Sequence, residues 1–282
     1  MDHNTQRIWL ISKLKAESPG FARIRVPSDE QGQKDLLRSL MNIRMPDPIS
    51  EEFLQEQDAY LRRESIMKGI VDERTLTPCD TDPRLYLWQG DITRLKADAI
   101  VNAANSGMTG CYQPLHNCID NCIHSAAGIR LRLECASIMR RQGHDEPTGQ
   151  AKITGGYCLP AKHVIHTVGP IVYGELTDEH RNLLRSSYRS CLRIAEENRL
   201  ESIAFCCIST GVFMFPPEEA AKIAVGTVKE YLDDQAERYG EIGSMITSGE
   251  GETAKVYKGV ERVIFNVFSD RDRMIYEDLL WK

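Results

Sequence analysis

The sequence contains no run of about 18 consecutive apolar residues, the shortest stretch that crosses a bilayer as a helix, so no membrane-spanning segment is expected. Its first residues, MDHNTQRIWLISKLKAE, lack the uninterrupted apolar core of a secretory signal, and the expectation is a soluble, cytoplasmic protein. A surplus of basic residues is also missing. Against 41 Asp and Glu stand 35 Lys and Arg, a net charge of −6, with the two signs interspersed. Sequence-independent binding of DNA or RNA needs a basic face, so no nucleic-acid partner is expected and a phosphorylated ligand must be gripped locally. Internal repeats and low-complexity tracts are absent as well.

What is there suits a globular chain. The 41% hydrophobic and 27% charged content is ordinary for a protein with a sizeable core. A length of 282 residues exceeds one usual domain and falls short of two large ones, which points to one main domain with an appendage. The nine cysteines are odd in number, and Cys206 and Cys207 lie inside an apolar, strand-like run, so reduced thiols are expected rather than a disulfide framework. Such thiols serve as small buried hydrophobes or, clustered with histidine, as metal ligands. Residues 1–80 are charged and helix-prone, with Pro46 and Pro48 as punctuation and no strand alternation, and are read as a helical N-terminal extension. The turn formers TPCDTDP at 77–83 mark its boundary with a main domain over 81–282.

Beyond that boundary, short apolar runs alternate with helix-period stretches, the pattern of an α/β domain with helices on both faces of a central sheet. Strands are expected at 84–90, 99–104, 163–169, 202–209 and 262–268, each predominantly apolar as a strand covered on both faces should be. Leu184, Tyr188, Cys191 and Ala195 share one helical face, and Ala220, Ala224, Val228 and Tyr231 share another. The second helix opens on Pro216, Pro217, Glu218 and Glu219, a composition suited to a first turn.

Three loops follow expected strands at their carboxyl ends, where open α/β sheets collect ligands. In QGDITRLKADAIVNAANSG (89–107), Asp91 follows a strand in a tight Gly-Asp turn. It serves either as a turn or cap residue or as an acceptor for an amino group such as that of adenine. Asn102 and Asn105 flank a strand end, where their amides either complete a turn or present donors and acceptors to a polyhydroxyl ligand.

The second loop, GCYQPLHNCIDNCIHSAAG (110–128), sets Cys111, His116 and Cys118 in a C-x4-H-x-C array. Two thiolates and an imidazole suit zinc, and three ligands leave a fourth position open to water or substrate; the alternative is a set of unrelated residues in a Gly/Pro loop. Cys122 is expected to pack against the core, His124 to be a satisfied helix histidine, and Asp120 to cap a helix, to act as acid or base beside the metal, or both. The third loop, CISTGVFMFPPEE (207–219), runs from strand through Ser-Thr-Gly to a helix start, a turn that holds phosphate on backbone amides without lysine. Phe213 and Phe215 would add apolar surface for a sugar or base.

With QGDIT, AIVNAAN, GC-x4-H-x-C-IDNCIHSAAG and ISTGVFMFP in this order, the chain resembles the macrodomain family, and within it the zinc-containing branch of microbial protein-ADP-ribose hydrolases. The resemblance covers nearly all of the chain beyond the boundary, and the helical leader also looks like that branch. It implies a three-layer α/β/α fold around a mixed sheet, with ADP-ribose and an ADP-ribosylated protein as partners. Asp91 and Ile92 would bind the adenine end, and Ser209, Thr210, Gly211, Val212 and Phe213 would wrap the diphosphate and distal ribose. Asn105 and Asp120 would face that ribose as catalytic residues. Cys111, His116 and Cys118 would hold Zn2+ beside the scissile bond, with Cys118 and Ile119 forming part of the ligand-facing wall. The chain departs from ordinary macrodomains in having CYQPLHNC where they have a glycine-rich stretch and Met214 where they have glycine, so a mechanism cannot be carried over from the metal-free branches. The implied activity is zinc-dependent removal of ADP-ribose from protein side chains at the distal ribose C1″. A non-catalytic reader of ADP-ribosylated partners and a deacetylase of O-acetyl-ADP-ribose are the alternatives.

Overall fold

A computed structural model of the chain describes residues 1–246 and 257–281. The leader forms α1 (His3–Ala16), α2 (Pro19–Ala22), α3 (Glu30–Ile43) and α4 (Glu51–Lys68). Asp2, Asp29 and Ser50 accept hydrogen bonds from the first-turn amides of α1, α3 and α4, and so fix where these helices start. Leu10, Ile11, Leu14, Leu40 and Phe53 close a small core of their own, to which Ile129 is added from the main body.

Next come β1 (Val71–Asp72), β2 (Pro78–Cys79), β3 (Asp82–Gln89), β4 (Leu95–Lys96) and β5 (Ala99–Ala103). They are followed by α5 (Ile119–Ala127), α6 (Ile129–Gln142), β6 (Ala151–Gly155), β7 (His163–Thr167) and α7 (Asp178–Glu197), then β8 (Ser202–Phe205), α8 (Pro217–Ile246), β9 (Arg262–Val267) and α9 (Asp270–Leu280). A seven-stranded sheet runs in the order β2-β3-β9-β8-β5-β7-β6. It is parallel from β3 to β7 and antiparallel at both edges. Helices α7, α8 and α9 pack together over the sheet, while α5 and α6 meet it on their own account and α3 and α4 of the leader pack on α5. The result is the mixed-sheet α/β/α sandwich that the alternation predicts.

Leu85, Ile100, Val101, Val164, Ile165 and Phe265 are all sealed from solvent, as continuous apolar runs in covered strands should be. The face Leu184, Tyr188, Cys191 and Ala195 is fully buried, and Ala220, Ala224 and Val228 are buried too, whereas Tyr231 is only half covered. The turn cluster at 77–83 is the bend of the β2–β3 hairpin. Two sequence readings need correction. The run at 202–209 leaves the sheet at Phe205, so Cys206 and Cys207 lie in the loop that follows rather than in a strand. The edge strand β6, AKITG, was not expected, because Lys152 and Thr154 break its apolar run. All nine cysteines are free thiols. Among the described residues no helix is long and apolar enough to cross a membrane.

Leader and body cap each other. Helix α6 starts behind Gly128, which has no side chain to satisfy the first amides; the Ile129 N–H instead donates to Gln57 Oε1 of α4 at 3.0 Å. In return, the Arg132 guanidinium of α6 donates to the carbonyl oxygens of Met41, Asn42 and Arg44 at 2.9, 2.7 and 2.7 Å, and so terminates α3.

Candidate functional site

Because β3, β9, β8 and β5 are parallel, the loops that leave their carboxyl ends open on one edge of the sheet. Asp91 caps a short 3-10 turn (Ile92–Arg94); its Oδ1 accepts from the Thr93 N–H at 3.0 Å and from Thr93 Oγ1 at 2.7 Å. The Ile92 side chain is buried, so only its backbone can meet a ligand. Phe268, 78% exposed, stands immediately past β9, and its carbonyl accepts from Gln89 Nε2 at 3.2 Å, so this open aromatic residue begins two positions from the Asp91 turn across the β3–β9 pair.

Asp120, near the start of α5, is buried in a polar nest. Asn102 Nδ2 donates to its Oδ1 at 2.8 Å and Asn105 Nδ2 to its Oδ2 at 3.2 Å. Asn102 also meets His166 Nδ1 at 3.1 Å, and Asn105, itself exposed, donates to the Gly110 carbonyl at 3.2 Å. Burial pushes the Asp120 carboxyl up to about 6, against the pull of both amides and of Arg132. Asp120 is not the helix cap, since that place belongs to Cys118, whose Sγ accepts from the Asn121 N–H at 3.4 Å.

Cys111, His116 and Cys118 bring their ligand atoms within 4.8 Å of one another, all half-buried, and Ile119 follows at the first turn of α5. Cys111 Sγ is 3.6 Å from His116 Nδ1. Bonds of about 2.3 and 2.1 Å to a tetrahedral zinc would separate S from N by about 3.6 Å, so this pair fits that ion in spacing and the three donors fit it in chemistry. Burial also pushes the Cys118 thiol up to about 12. Cys122 stands apart from this group, half-buried and 3.8 Å from the Arg38 guanidinium rather than packed in the core.

His124 is not a satisfied helix histidine. Neither ring nitrogen has a hydrogen-bond partner, and Asp120 Oδ1 lies 3.5 Å from its Nε2. It belongs to a second group with Cys135 and His166, sealed from solvent, where burial holds His124 well below its usual pKa and lowers His166 to about 3. His166 Nε2 is already engaged by Thr154 Oγ1 at 2.9 Å.

The loop after β8 is longer than a strand–turn–helix motif requires, for α8 begins only at Pro217. Ser209, at φ +66°, and Met214, at φ +56°, adopt left-handed turns. Closing bonds run from Thr210 N–H to the Cys207 carbonyl, from Met214 N–H to Gly211 and from Phe215 N–H to Ser209. Among the described residues the amides of Ser209, Gly211, Val212 and Phe213 donate to no protein acceptor, so this loop presents unused donors at the sheet edge. Phe215 is a core residue and adds no surface to the cleft; Phe213 is half-buried and Val212 exposed.

The family model for the Macro domain matches residues 101–224. A protein-ADP-ribose hydrolase of Treponema medium is 49% identical over 282 residues, covering 99% of this chain and 100% of the relative. The chain belongs to the macrodomain family. This macrodomain is also 44% identical to a protein-ADP-ribose hydrolase of Staphylococcus aureus (strain MRSA252), over 96% of this chain and 93% of that one. A solved Trypanosoma brucei macrodomain in complex with ADP-ribose superposes with a TM-score of 0.61 at 29% identity, covering 86% of this chain and 94% of that one.

Several polar residues of this macrodomain's site were not singled out from sequence. Asn121, fully buried, donates to the carbonyls of Gln113 and Cys111 at 2.9 and 3.3 Å, and His166 and Thr154 extend the polar nest below Asn102. Asn121 had one available signal, its place three residues past Cys118 inside the motif; His166 had none, being the fourth residue of an otherwise plain strand.

Proposed function

We propose that this macrodomain removes ADP-ribose from modified protein side chains, with residues 81–282 as the catalytic unit, 1–80 as its extension, and zinc held by Cys111, His116 and Cys118. The observation that carries the reading is a buried carboxylate, Asp120, pinned by two amides and only two residues from a half-exposed Cys/His/Cys group. Of the two candidate metal groups, this one is half-buried, while His124, Cys135 and His166 are enclosed and already partly hydrogen-bonded.

Adenine would lie between the Phe268 ring and the turn of Asp91 and Ile92, with the carboxylate accepting from its amino group. The diphosphate would take the unused amides of Ser209, Gly211, Val212 and Phe213, with Thr210 at the loop's centre, which lets an acidic protein hold an anion without lysine. The distal ribose then meets Asn105 and Asp120, beside Cys118 and Ile119. Asp120 orients the attacking water and accepts its proton, and Asn105 fixes the sugar hydroxyls as the water oxygen bonds to C1″ and the substrate side chain departs with the electron pair of the broken bond, taking the proton from Asp120 where that side chain is not a carboxylate. A bound zinc would supply Lewis acidity at that position.

Gly169→Val tests the anion loop. A Cβ at Gly169 would lie 2.1 Å from Ser209 Oγ and 2.7 Å from Ile208 Cγ2, so the substitution drives the Ser209 turn outward. Calorimetry should show ADP-ribose binding weakened at least roughly tenfold, the loss of one or two charge-assisted hydrogen bonds; unaltered affinity would remove this loop from the ligand site.

The activity itself is tested by incubating the protein with substrates mono-ADP-ribosylated through carboxylate, serine or arginine, with and without a zinc chelator. Release of ADP-ribose from at least one linkage, lost on chelation and restored by zinc, is the expected outcome. Binding without release would make the protein a reader, and release that survives complete metal removal would discard the zinc.

A further inference from the structure

The leader touches the ligand loop through one helix. Arg38 of α3 donates to the His116 carbonyl at 2.8 Å and to Asn121 Oδ1 at 2.9 Å. One turn further along the same face, Asn42 Oδ1 accepts from the Leu115 N–H at 3.1 Å, while its Nδ2 donates to Ser125 Oγ at 2.9 Å. Asn121, oriented by Arg38, takes the carbonyls of Gln113 and Cys111. Four backbone groups between Cys111 and His116 are therefore held from outside the loop, two of them by the leader. Arg132, which terminates α3, also lies over the Tyr112 ring of the loop, 4.4 Å from its centroid.

This bracing acts where the chain needs it. Leu115 has φ +56°, a left-handed conformation that a leucine keeps only when its surroundings hold it, and its amide is the one Asn42 accepts. A short loop that must bring two sulfurs and a ring nitrogen to one point binds metal poorly if it has to be ordered at the moment of binding. Groups that orient metal ligands from behind typically govern affinity by about 10–100-fold.

We propose that helix α3 of the leader is a clamp that preorganises the Cys111–Cys118 loop for its metal, with Arg38 and Asn42 as positioning residues. The inference rests on the zinc reading given above. It assigns the leader a task at the site: one helix of the extension, remote in sequence, sets the shape of the ligand loop.

The test is zinc affinity of the full-length protein, measured by competition with a chromophoric chelator, for wild type, Arg38→Ala, Asn42→Ala and Arg38→Lys, with Arg63→Ala on the exposed side of α4 as control. Far-UV circular dichroism and melting of the metal-free proteins are recorded alongside. Arg38→Ala and Asn42→Ala should each weaken zinc binding by about 10–100-fold while retaining the wild-type spectrum. Arg38→Lys, which keeps a donor for the His116 carbonyl, should recover part of the loss, and Arg63→Ala should match wild type. If Arg38→Ala yields no folded protein, the same comparison with Arg38→Gln decides. Wild-type zinc affinity in the folded variants overturns the clamp alone, and a wild-type protein that binds no zinc overturns the metal reading beneath it.

Discussion

Asp120→Ala is expected to slow release of ADP-ribose from a modified protein by about 10²–10⁴-fold, the range for loss of a positioned proton acceptor, with ADP-ribose affinity kept within several-fold of wild type. The two effects would separate because, on the proposed reading, the anion loop and the Asp91 turn follow other strands and would carry the nucleotide half of the ligand. Asp120 is placed for chemistry rather than for grip. It is enclosed, it is held by Asn102 at 2.8 Å and Asn105 at 3.2 Å, and its carboxyl sits at about 6, near the operating range of an acid–base residue. Removing it also takes from the buried Asn102 amide one of its two partners, leaving only His166 Nδ1, so a destabilisation of about 1–3 kcal/mol should accompany the loss. Single-turnover release and calorimetry on the same preparation read both quantities. An undiminished rate would take Asp120 out of the reaction.

Cys118→Ser should abolish stoichiometric zinc binding and, with it, hydrolysis. A serine hydroxyl stays protonated at neutral pH and is a poor ligand where a thiolate is a strong one. The substitution is unusually clean because Cys118 is also the N-cap of α5, and serine is among the best residues for that place. The helix start is therefore conserved while the metal ligand is lost. Cys122→Ser is the matched control, since that thiol faces Arg38 outside the ligand group. Elemental analysis should find zinc in Cys122→Ser and none in Cys118→Ser; metal retained at wild-type stoichiometry in Cys118→Ser would remove that sulfur from the site.

The fold was largely readable because covered strands and amphipathic helices leave strong marks. Val101, Ile165 and Phe265 sit in short apolar runs interrupted only by Asn102, His166 and Asn266, and Leu184, Tyr188 and Cys191 repeat at helical spacing. Strand ends were less readable, since hydropathy continues through Cys206, Cys207 and Ile208 although the ladder stops at Phe205. The same ambiguity assigned Phe215 to the cleft and Phe268 to a strand; the first is core and the second an open ring. Cys111, His116 and Cys118 could be grouped from spacing because all three lie in one short segment. Arg38 and Asn42 could not, for they meet the loop from more than 70 residues away, and nothing local in α3 distinguishes an arginine that reaches a distant carbonyl from one that faces water.

The exchange of caps between the leader, through α3 and α4, and α6 also bears on how the chain matures during synthesis. The leader emerges from the ribosome first, but the groups that complete it, Ile129 in its small core and the Arg132 guanidinium at the end of α3, are translated well after it. Until they arrive, α3 ends on open carbonyls and Gln57 has no amide to receive. The amino-terminal helices can close most of their own core at once, but gain these last caps only with a later stretch of the chain, so their final consolidation is tied to the arrival of α6.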